Sequence, residues 1–254
     1  MTEQGRRAVS IIVPAYNEDR NIEKALDDVR VAAMTLANYE IIVVDDGSTD
    51  RTRLVAEEYA RRYAVNDAGP ASIRVVGYAR NAGLRSAYET GLARATMPYV
   101  VWFPSDGEMA YSSILDILRA VGTADLVLPY HGTPERRTWF RRLLTWGSTT
   151  QLNWLLGHKL NYFQGTVVYP TALARRLPRT ESGFFCMAEM LCSALDEGPT
   201  YVEVPLVHTD RANGVSKAVS ARAIWRAQLL ILRLFYRLRI RPLWDVLAYA
   251  SAGL

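Results

Sequence analysis

The sequence predicts an α/β fold, a doubly wound and mostly parallel sheet within one domain. Short β-branched runs alternate with stretches of helical periodicity through the first half of the chain. Each run also stops abruptly at polar residues, as strands do when ligand-binding loops follow their carboxyl ends. The 254 residues are enough for one large core, and a composition of 50% hydrophobic and 22% charged residues excludes a disordered chain. No repeat or low-complexity linker divides it.

The first strand is residues 9–14 (VSIIVP), with Ala15-Tyr16-Asn17-Glu18 as its end loop. Asn17 or Asp19 can cap the helix that follows, whose Ile22, Leu26, Val29 and Ala33 share a buried face. Residues 39–44 form a second strand and run into Asp45-Asp46-Gly47-Ser48-Thr49-Asp50. Gly47 permits a tight turn there, and Ser48, Thr49 or Asp50 can cap the next helix, through Leu54, Val55 and Tyr59. Taken alone, this stretch leaves two readings open: carboxylates that touch a ligand, or a capping turn with one solvated aspartate.

Residues 73–78 are the third strand, followed by Ala79-Arg80-Asn81-Ala82-Gly83 and a helix over 84–95. A fourth strand over 99–103 enters Pro104-Ser105-Asp106-Gly107-Glu108. Beyond residue 129 the character changes. Residues 136–156 carry Trp139, Trp146 and Trp154 on one helical face, beside Arg141 and Arg142. Further elements are strands at 164–169 and 201–204 and a helix at 188–195.

Three strand ends therefore place polar clusters on one edge of the sheet: Asn17-Glu18, Asp45-Asp46 and Asp106-x-Glu108. In extended backbone Asp106 and Glu108 would share a face. Hard oxygen ligands at that spacing suit Mg²⁺ or Mn²⁺ carrying a diphosphate.

VSIIVPAYNE, YEIIVVDDGSTD, ARNAGLRSAYETGL and the strand into PSDGE, in this order, resemble the inverting glycosyltransferases of the GT-A fold, family 2 type. The pattern is most similar to the dolichol-phosphate mannose synthase and polyprenyl-phosphate glycosyltransferase group, over about residues 9–217. The resemblance implies transfer of a sugar from a UDP- or GDP-linked donor to a polyprenyl phosphate. It further implies that Pro14, Tyr16 and Glu18 border the nucleotide, that Asp46 holds its base or ribose, and that Asn81, Gly83 and Ser86 lie along the ribose and sugar. Arg211, Ser216 and Lys217 match a closing loop R-x-x-G-x-S-K, in which Arg211 and Lys217 would neutralise the departing diphosphate. The family's metal strand reads D-x-D-x-Q. Here Pro104 stands at the first aspartate, Asp106 keeps the second, and Glu108 replaces the glutamine, which implies a shifted metal site on Asp106 and Glu108.

A lipid phosphate is its own nucleophile, being largely dianionic near neutral pH. Arg141 and Thr145 match the spacing at which similar enzymes hold that phosphate, although Pro129-Tyr130 stands where a Ser-Arg pair is expected. A hydroxyl acceptor of a lipid or small metabolite is the alternative. It would need a base, for which Glu189 is the candidate; Glu189 as an arginine's structural partner is the plainer reading. A non-catalytic sugar-nucleotide or membrane-binding relative is a third possibility, opened by Pro104.

Charge is uneven. Residues 211–241 hold eight Lys or Arg and no acidic residue; taking these from the 30 basic residues leaves 22 against 26 acidic. Residues 1–218 are expected to form the glycosyltransferase domain, and 219–254 a basic amphipathic tail that either lies in a membrane interface or packs on that domain. Arg222, Arg226, Arg233, Arg237 and Arg241 form one stripe at helical spacing, which suits an anionic membrane surface, and the interleaved Leu, Ile and Phe argue against nucleic acid. The expected location is cytoplasmic, peripheral at the inner face of the membrane. The same apolar segments could instead serve a homo-oligomer. His131, His158 and His208 form no ligand pattern, and Cys186 and Cys192 read as buried thiols of a reducing compartment. The first ten residues hold no apolar signal core.

Overall fold

The structure is a computed structural model that describes residues 7–64, 72–132, 139–163, 165–207 and 221–241. The strands are β1 (Ala8–Ala15), β2 (Asn38–Asp45), β3 (Ser72–Gly77), β4 (Tyr99–Trp102), β5 (Leu126–His131), β6 (Tyr169–Pro170) and β7 (Tyr201–Leu206). Five of them form the central sheet, in the order β3-β2-β1-β4-β6. Its first four are mutually parallel and β6 runs antiparallel to β4. Strands β5 and β7 make a parallel pair, attached to the main sheet by a bridge between Val127 and Val168.

Burial on both faces explains the continuous apolar runs. Ile11, Val13, Ile41, Val43 and Val101 face one core cluster, shared with α1 (Ile22–Ala33), α2 (Thr52–Ala64) and α4 (Tyr111–Arg119). Their neighbours Ile12, Ile42, Val44, Val100 and Trp102 face the other, shared with α3 (Leu84–Arg94), α5 (Trp139–Leu156), α6 (Thr171–Arg176), α7 (Phe184–Leu195) and α8 (Ala221–Phe235). This is the period-two alternation of a sheet covered on both sides. After β3 the chain crosses back over β2 and β1 through α3 to reach β4. The strand order therefore reverses between β1 and β4, and at such a switch point open α/β sheets present a ligand crevice beyond the carboxyl ends of their strands.

The described part of the tail packs on this same body. Leu230, Ile231 and Leu234 of α8 are buried in the core they share with α7 and the end of α5. Two of the five stripe arginines, Arg233 and Arg237, meet protein partners there, as does the neighbouring Arg239. Arg233 donates to Glu181 at 2.7 Å, Arg237 to Glu189 at 2.8 Å and to the Ser193 hydroxyl at 2.9 Å, and Arg239 to Asp196 at 2.5 Å. The acids of α7 and its flanks lie where the buried face of α8 docks, and charges brought that close pair. A π-helical turn over Tyr236–Ile240 adds to this, because its wider winding breaks the 3.6-residue register on which the stripe was drawn.

Candidate active site

The crevice between β1 and β4 is closed at its floor by Ser105, whose hydroxyl donates to the Pro14 carbonyl at 2.8 Å. Beyond Pro14 the chain leaves the sheet with Tyr16 exposed and Asn17 in the left-handed region at φ 56°. Asn17 is held there by the neighbouring loop: its side-chain oxygen accepts the Thr49 amide at 2.8 Å, and its own amide donates to the Ser48 hydroxyl at 3.1 Å. The Glu18 amide donates to the Thr52 hydroxyl at 2.7 Å, and the Glu18 carboxylate accepts from Asn21 at 2.7 Å. The β1 and β2 end loops are thus one hydrogen-bonded unit, and the Tyr16 ring stands out of it.

The two aspartates after β2 divide their work inside the protein. Asp45 is buried and accepts the Ser48 amide at 3.2 Å. Asp46 is buried too, and both its oxygens are engaged: Oδ1 accepts the Ala82 amide at 2.7 Å, while Oδ2 accepts the Gly83 amide at 2.8 Å and the Asn81 side chain at 3.0 Å. The carboxylate expected to hold a base or ribose therefore holds the 81–83 loop. Gly47 makes the approach possible. It sits at φ 69°, and a Cβ there would lie 2.4 Å from the Arg80 carbonyl carbon. Gly83, at φ 89° and ψ 164°, then turns the chain into α3, where the Ser86 hydroxyl donates to the Ala82 carbonyl at 3.1 Å.

At the end of β4 the geometry differs from the expected extended pair. The strand stops at Trp102, and Gly107 at φ 68° bends the chain so that the Glu108 amide donates to Asp106 Oδ1 at 3.1 Å. Asp106 and Glu108 are half-buried on this turn. An aspartate that can accept from the amide two residues on favours such a turn over continued strand. Among the described residues no three His, Cys, Asp or Glu side chains form a ready-made metal cluster. The pair nonetheless fits a hard cation that keeps few carboxylates and takes diphosphate oxygens as its other ligands.

The chain arrives at the same place from β7. The Val207 carbonyl accepts the Ala110 amide at 3.2 Å, two residues beyond Glu108. The closing-loop candidates Arg211, Ser216 and Lys217 lie outside the described residues, as do His208 and the side chain of Arg141. Thr145 is half-buried on α5.

Glu189 is buried on α7 and accepts four hydrogen bonds: from the Thr180 hydroxyl (2.6 Å) and amide (2.7 Å), the Glu181 amide (3.0 Å) and Arg237 (2.8 Å). Burial by itself raises its pKa. The Thr180 hydroxyl, the Glu181 amide, the Arg237 guanidinium and the Thr180 amide outweigh that and hold the carboxyl below its ordinary value. A carboxylate so stabilised is a poor proton acceptor, and the geometry is that of the arginine's structural partner. Arg85 links this cluster to the crevice by donating to the carbonyls of Arg179 (3.2 Å) and Thr180 (3.3 Å) from the first turn of α3. Ser105 and Arg85 lie within the quoted PSDGE and ARNAGLRSAYETGL motifs but were given no role of their own, and no motif marked Thr180. Burial pushes the Cys186 and Cys192 thiols up to about 12, so both are inert.

A crevice at a topological switch point, edged by an acidic turn and by a glycine-bearing loop opening a helix, defines a nucleotide-binding α/β domain. The comparisons with known proteins then place it: the model of glycosyl transferase family 2 matches residues 10–177, and the chain belongs to that family. Polyprenol monophosphomannose synthase of Mycolicibacterium smegmatis is 29% identical over 219 residues, covering 82% of this chain and 79% of that protein. Dolichol-phosphate mannosyltransferase of Pyrococcus furiosus is 27% identical over 230 residues, covering 82% of this chain and 58% of that one. Among solved structures, glucosyl-3-phosphoglycerate synthase of Mycobacterium tuberculosis, crystallised with Mn²⁺, UDP and phosphoglyceric acid, superposes with a TM-score of 0.63 at 17% identity, covering 90% of this chain and 78% of that one. The fold is of the GT-A type, and the protein is a glycosyltransferase.

Proposed function

We propose that the protein transfers a sugar, with inversion, from a nucleoside diphosphate sugar to a polyprenyl phosphate at the cytoplasmic face of a membrane. The observation that carries this reading is the Asp106–Glu108 turn at the mouth of the β1–β4 crevice, in a chain similar over most of its length to a polyprenol monophosphomannose synthase. Asp106 and Glu108 would hold Mg²⁺ or Mn²⁺, which would supply positive charge to the donor's diphosphate. Tyr16, with Pro14 and Glu18, borders the nucleotide. The 81–83 loop and Ser86 border ribose and sugar, in a geometry that Asp46 sets.

An oxygen of the acceptor phosphate attacks the anomeric carbon from the face opposite the diphosphate. The new C–O bond forms as the bond to the diphosphate breaks, and the leaving group carries away the electron pair. Charge grows on the diphosphate in that step, so cations aimed at it lower the barrier. Arg211 and Lys217 suit this role, since their segment leaves β7 at Val207, bonded beside the acidic turn. Arg141 and Thr145 suit the acceptor phosphate. The state of Glu189 supports a phosphate acceptor over a hydroxyl one, because the phosphate needs no base.

The test is a panel of UDP- and GDP-sugars offered with Mn²⁺ and a short-chain polyprenyl phosphate, products being identified by mass spectrometry. A glycosyl phosphopolyprenol from one donor supports the reading. Transfer only to a hydroxyl-bearing acceptor overturns it.

A further inference from the structure

On both helices that cover the outer side of the second core, the face turned away from the protein is apolar. On α5 the outermost side chains are Leu143, Trp146 and Trp154, exposed by 51%, 66% and 81%. On α8 and the first residue of the π-helical turn that continues it they are Trp225, Leu232 and Tyr236, exposed by 67%, 58% and 55%. Each set recurs at intervals of three, four, seven or eight, so each forms a single stripe. The stripes lie opposite the buried Leu152 and Leu156 of α5 and the buried Leu230, Ile231 and Leu234 of α8. A surface helix of a water-borne protein puts its apolar stripe inward and charge outward. These two helices carry large apolar side chains on both sides, with exposed Thr150 the polar residue within the outer stripe of α5.

The stripes belong to one surface. The helices pack on the same core, and Arg239 donates to the Leu156 carbonyl, which sets the end of α5 carrying Trp154 beside the π-helical turn carrying Tyr236. That surface adjoins the crevice: Arg233 of α8 pairs with Glu181, whose neighbour Thr180 accepts from Arg85 on the first turn of α3. Single exposed apolar residues are ordinary, but a ridge of six with three tryptophans marks an interaction site.

We propose that this ridge is the membrane-docking face, and that its occupant is the interfacial layer of a lipid bilayer. The inference rests on the polyprenyl phosphate reading and assigns its membrane contact to aromatic insertion instead of to the arginine stripe. Charge decides between a bilayer and a second copy. Neither α5 nor α8 contains an acidic residue, and exposed Arg226 borders the α8 stripe, while Arg233 beside it is already paired with Glu181. Two copies packed ridge to ridge would bring the Arg226 charges together with no acid on either helix to offset them, whereas anionic headgroups neutralise them. Trp and Tyr are also the residues that settle at the headgroup level, and no described helix is long and apolar enough to cross.

The test is sedimentation of the full chain with phosphatidylcholine vesicles, with and without phosphatidylglycerol, at low and high salt, against a Trp154→Ser/Trp225→Ser variant. Both side chains are exposed, so folding should survive; circular dichroism checks this. The ridge predicts that the variant's vesicle affinity falls at least about tenfold, that high salt weakens the unmodified chain less than this, and that transfer to a short, water-soluble acceptor is unchanged. Equal binding by the variant overturns the proposal. So does a salt-stable dimer that the two substitutions dissociate. If the chain binds vesicles through the ridge yet transfers nothing to a polyprenyl phosphate, the acceptor reading fails and the docking face stands.

Discussion

Asp46 accepts the backbone amide of Gly83 at 2.8 Å, and through this bond the turn after β2 fixes where α3 begins. With the Ala82 amide on the other oxygen, the carboxylate satisfies two backbone donors that would otherwise face the crevice unpaired. Asparagine cannot do this, since one of its two ends is a donor. Asp46→Asn is therefore expected to raise the KM for the nucleotide sugar by about tenfold, the effect of losing roughly 1–2 kcal/mol of positioning. Asn81→Ala, which removes only the side-chain bond, should cost less. Donor titrations of both variants check the order; equal effects would place Asp46 against the donor itself.

Gly47→Ala tests the approach of the two loops. The added methyl meets the backbone of Arg80 and Asn81, and the φ of 69° is strained for alanine. Backbone cannot swing aside as a side chain can, so a loss of about 1–3 kcal/mol in stability and a large fall in activity are expected. Thermal unfolding and initial rates read these separately. Gly83→Ala should disturb activity more than stability, because its φ of 89° is equally restrictive but nothing lies within 4 Å of the new methyl.

Glu189 should prove structural. Glu189→Gln keeps the shape but removes the charge facing Arg237, and is expected to cost about 1–3 kcal/mol of stability. Turnover near neutral pH should fall less than tenfold, where removal of a general base would cost about 10²–10⁴-fold. The pH dependence has a definite sign. The folded carboxyl titrates below its ordinary value, so its contribution is fully present above about pH 4.5 and fades as pH falls through the lower folded value. Denaturant unfolding between neutral and acid pH should show that acid slope reduced in Glu189→Gln. A variant that stays stable yet is catalytically dead would restore Glu189 as a base.

Glu40 anchors the opposite end of the sheet, accepting from the Ser10 hydroxyl at 2.6 Å, the Thr96 amide at 2.6 Å and its hydroxyl at 2.8 Å, and pairing with Arg74. Lying far from the crevice, Glu40→Gln should lower the unfolding midpoint while leaving KM for the donor unchanged. A change in KM would mean that the sheet transmits strain from one end to the other.

The parts of the fold that follow from period and burial were readable in the sequence. The first four strands, their parallel pairing and the polar carboxyl edge come from β-branched runs that stop at Asp, Asn and Gly, and the structure keeps them, whereas the strand expected over 164–169 shrinks to the antiparallel pair Tyr169–Pro170. The partners of polar side chains were not readable, because pairing depends on what the fold brings near. Asp46 looked like a ligand contact until the 81–83 loop arrived on it. The tail arginines made a regular stripe on paper, yet Glu181 and Glu189 beside and on α7 pair with two of its five, Arg233 and Arg237, and a π-helical turn shifted the last two. Trp146 and Trp154 were visible as one face, but only packing shows that the face points outward. Ser105, between a proline and the acidic turn, carried no signal, and its bond to Pro14 is visible only once β1 and β4 lie side by side.

The central claim is that the Asp106–Glu108 turn handles the diphosphate of a sugar donor destined for a lipid phosphate. Its most direct measurement is the Mn²⁺-dependent rate of sugar transfer to a short-chain polyprenyl phosphate, for the unmodified chain and for Asp106→Ala. The account predicts product from the unmodified chain, a dependence on the added cation, and a fall of at least about a hundredfold in Asp106→Ala with the fold intact. Transfer by Asp106→Ala at the unmodified rate, with or without Mn²⁺, would contradict it.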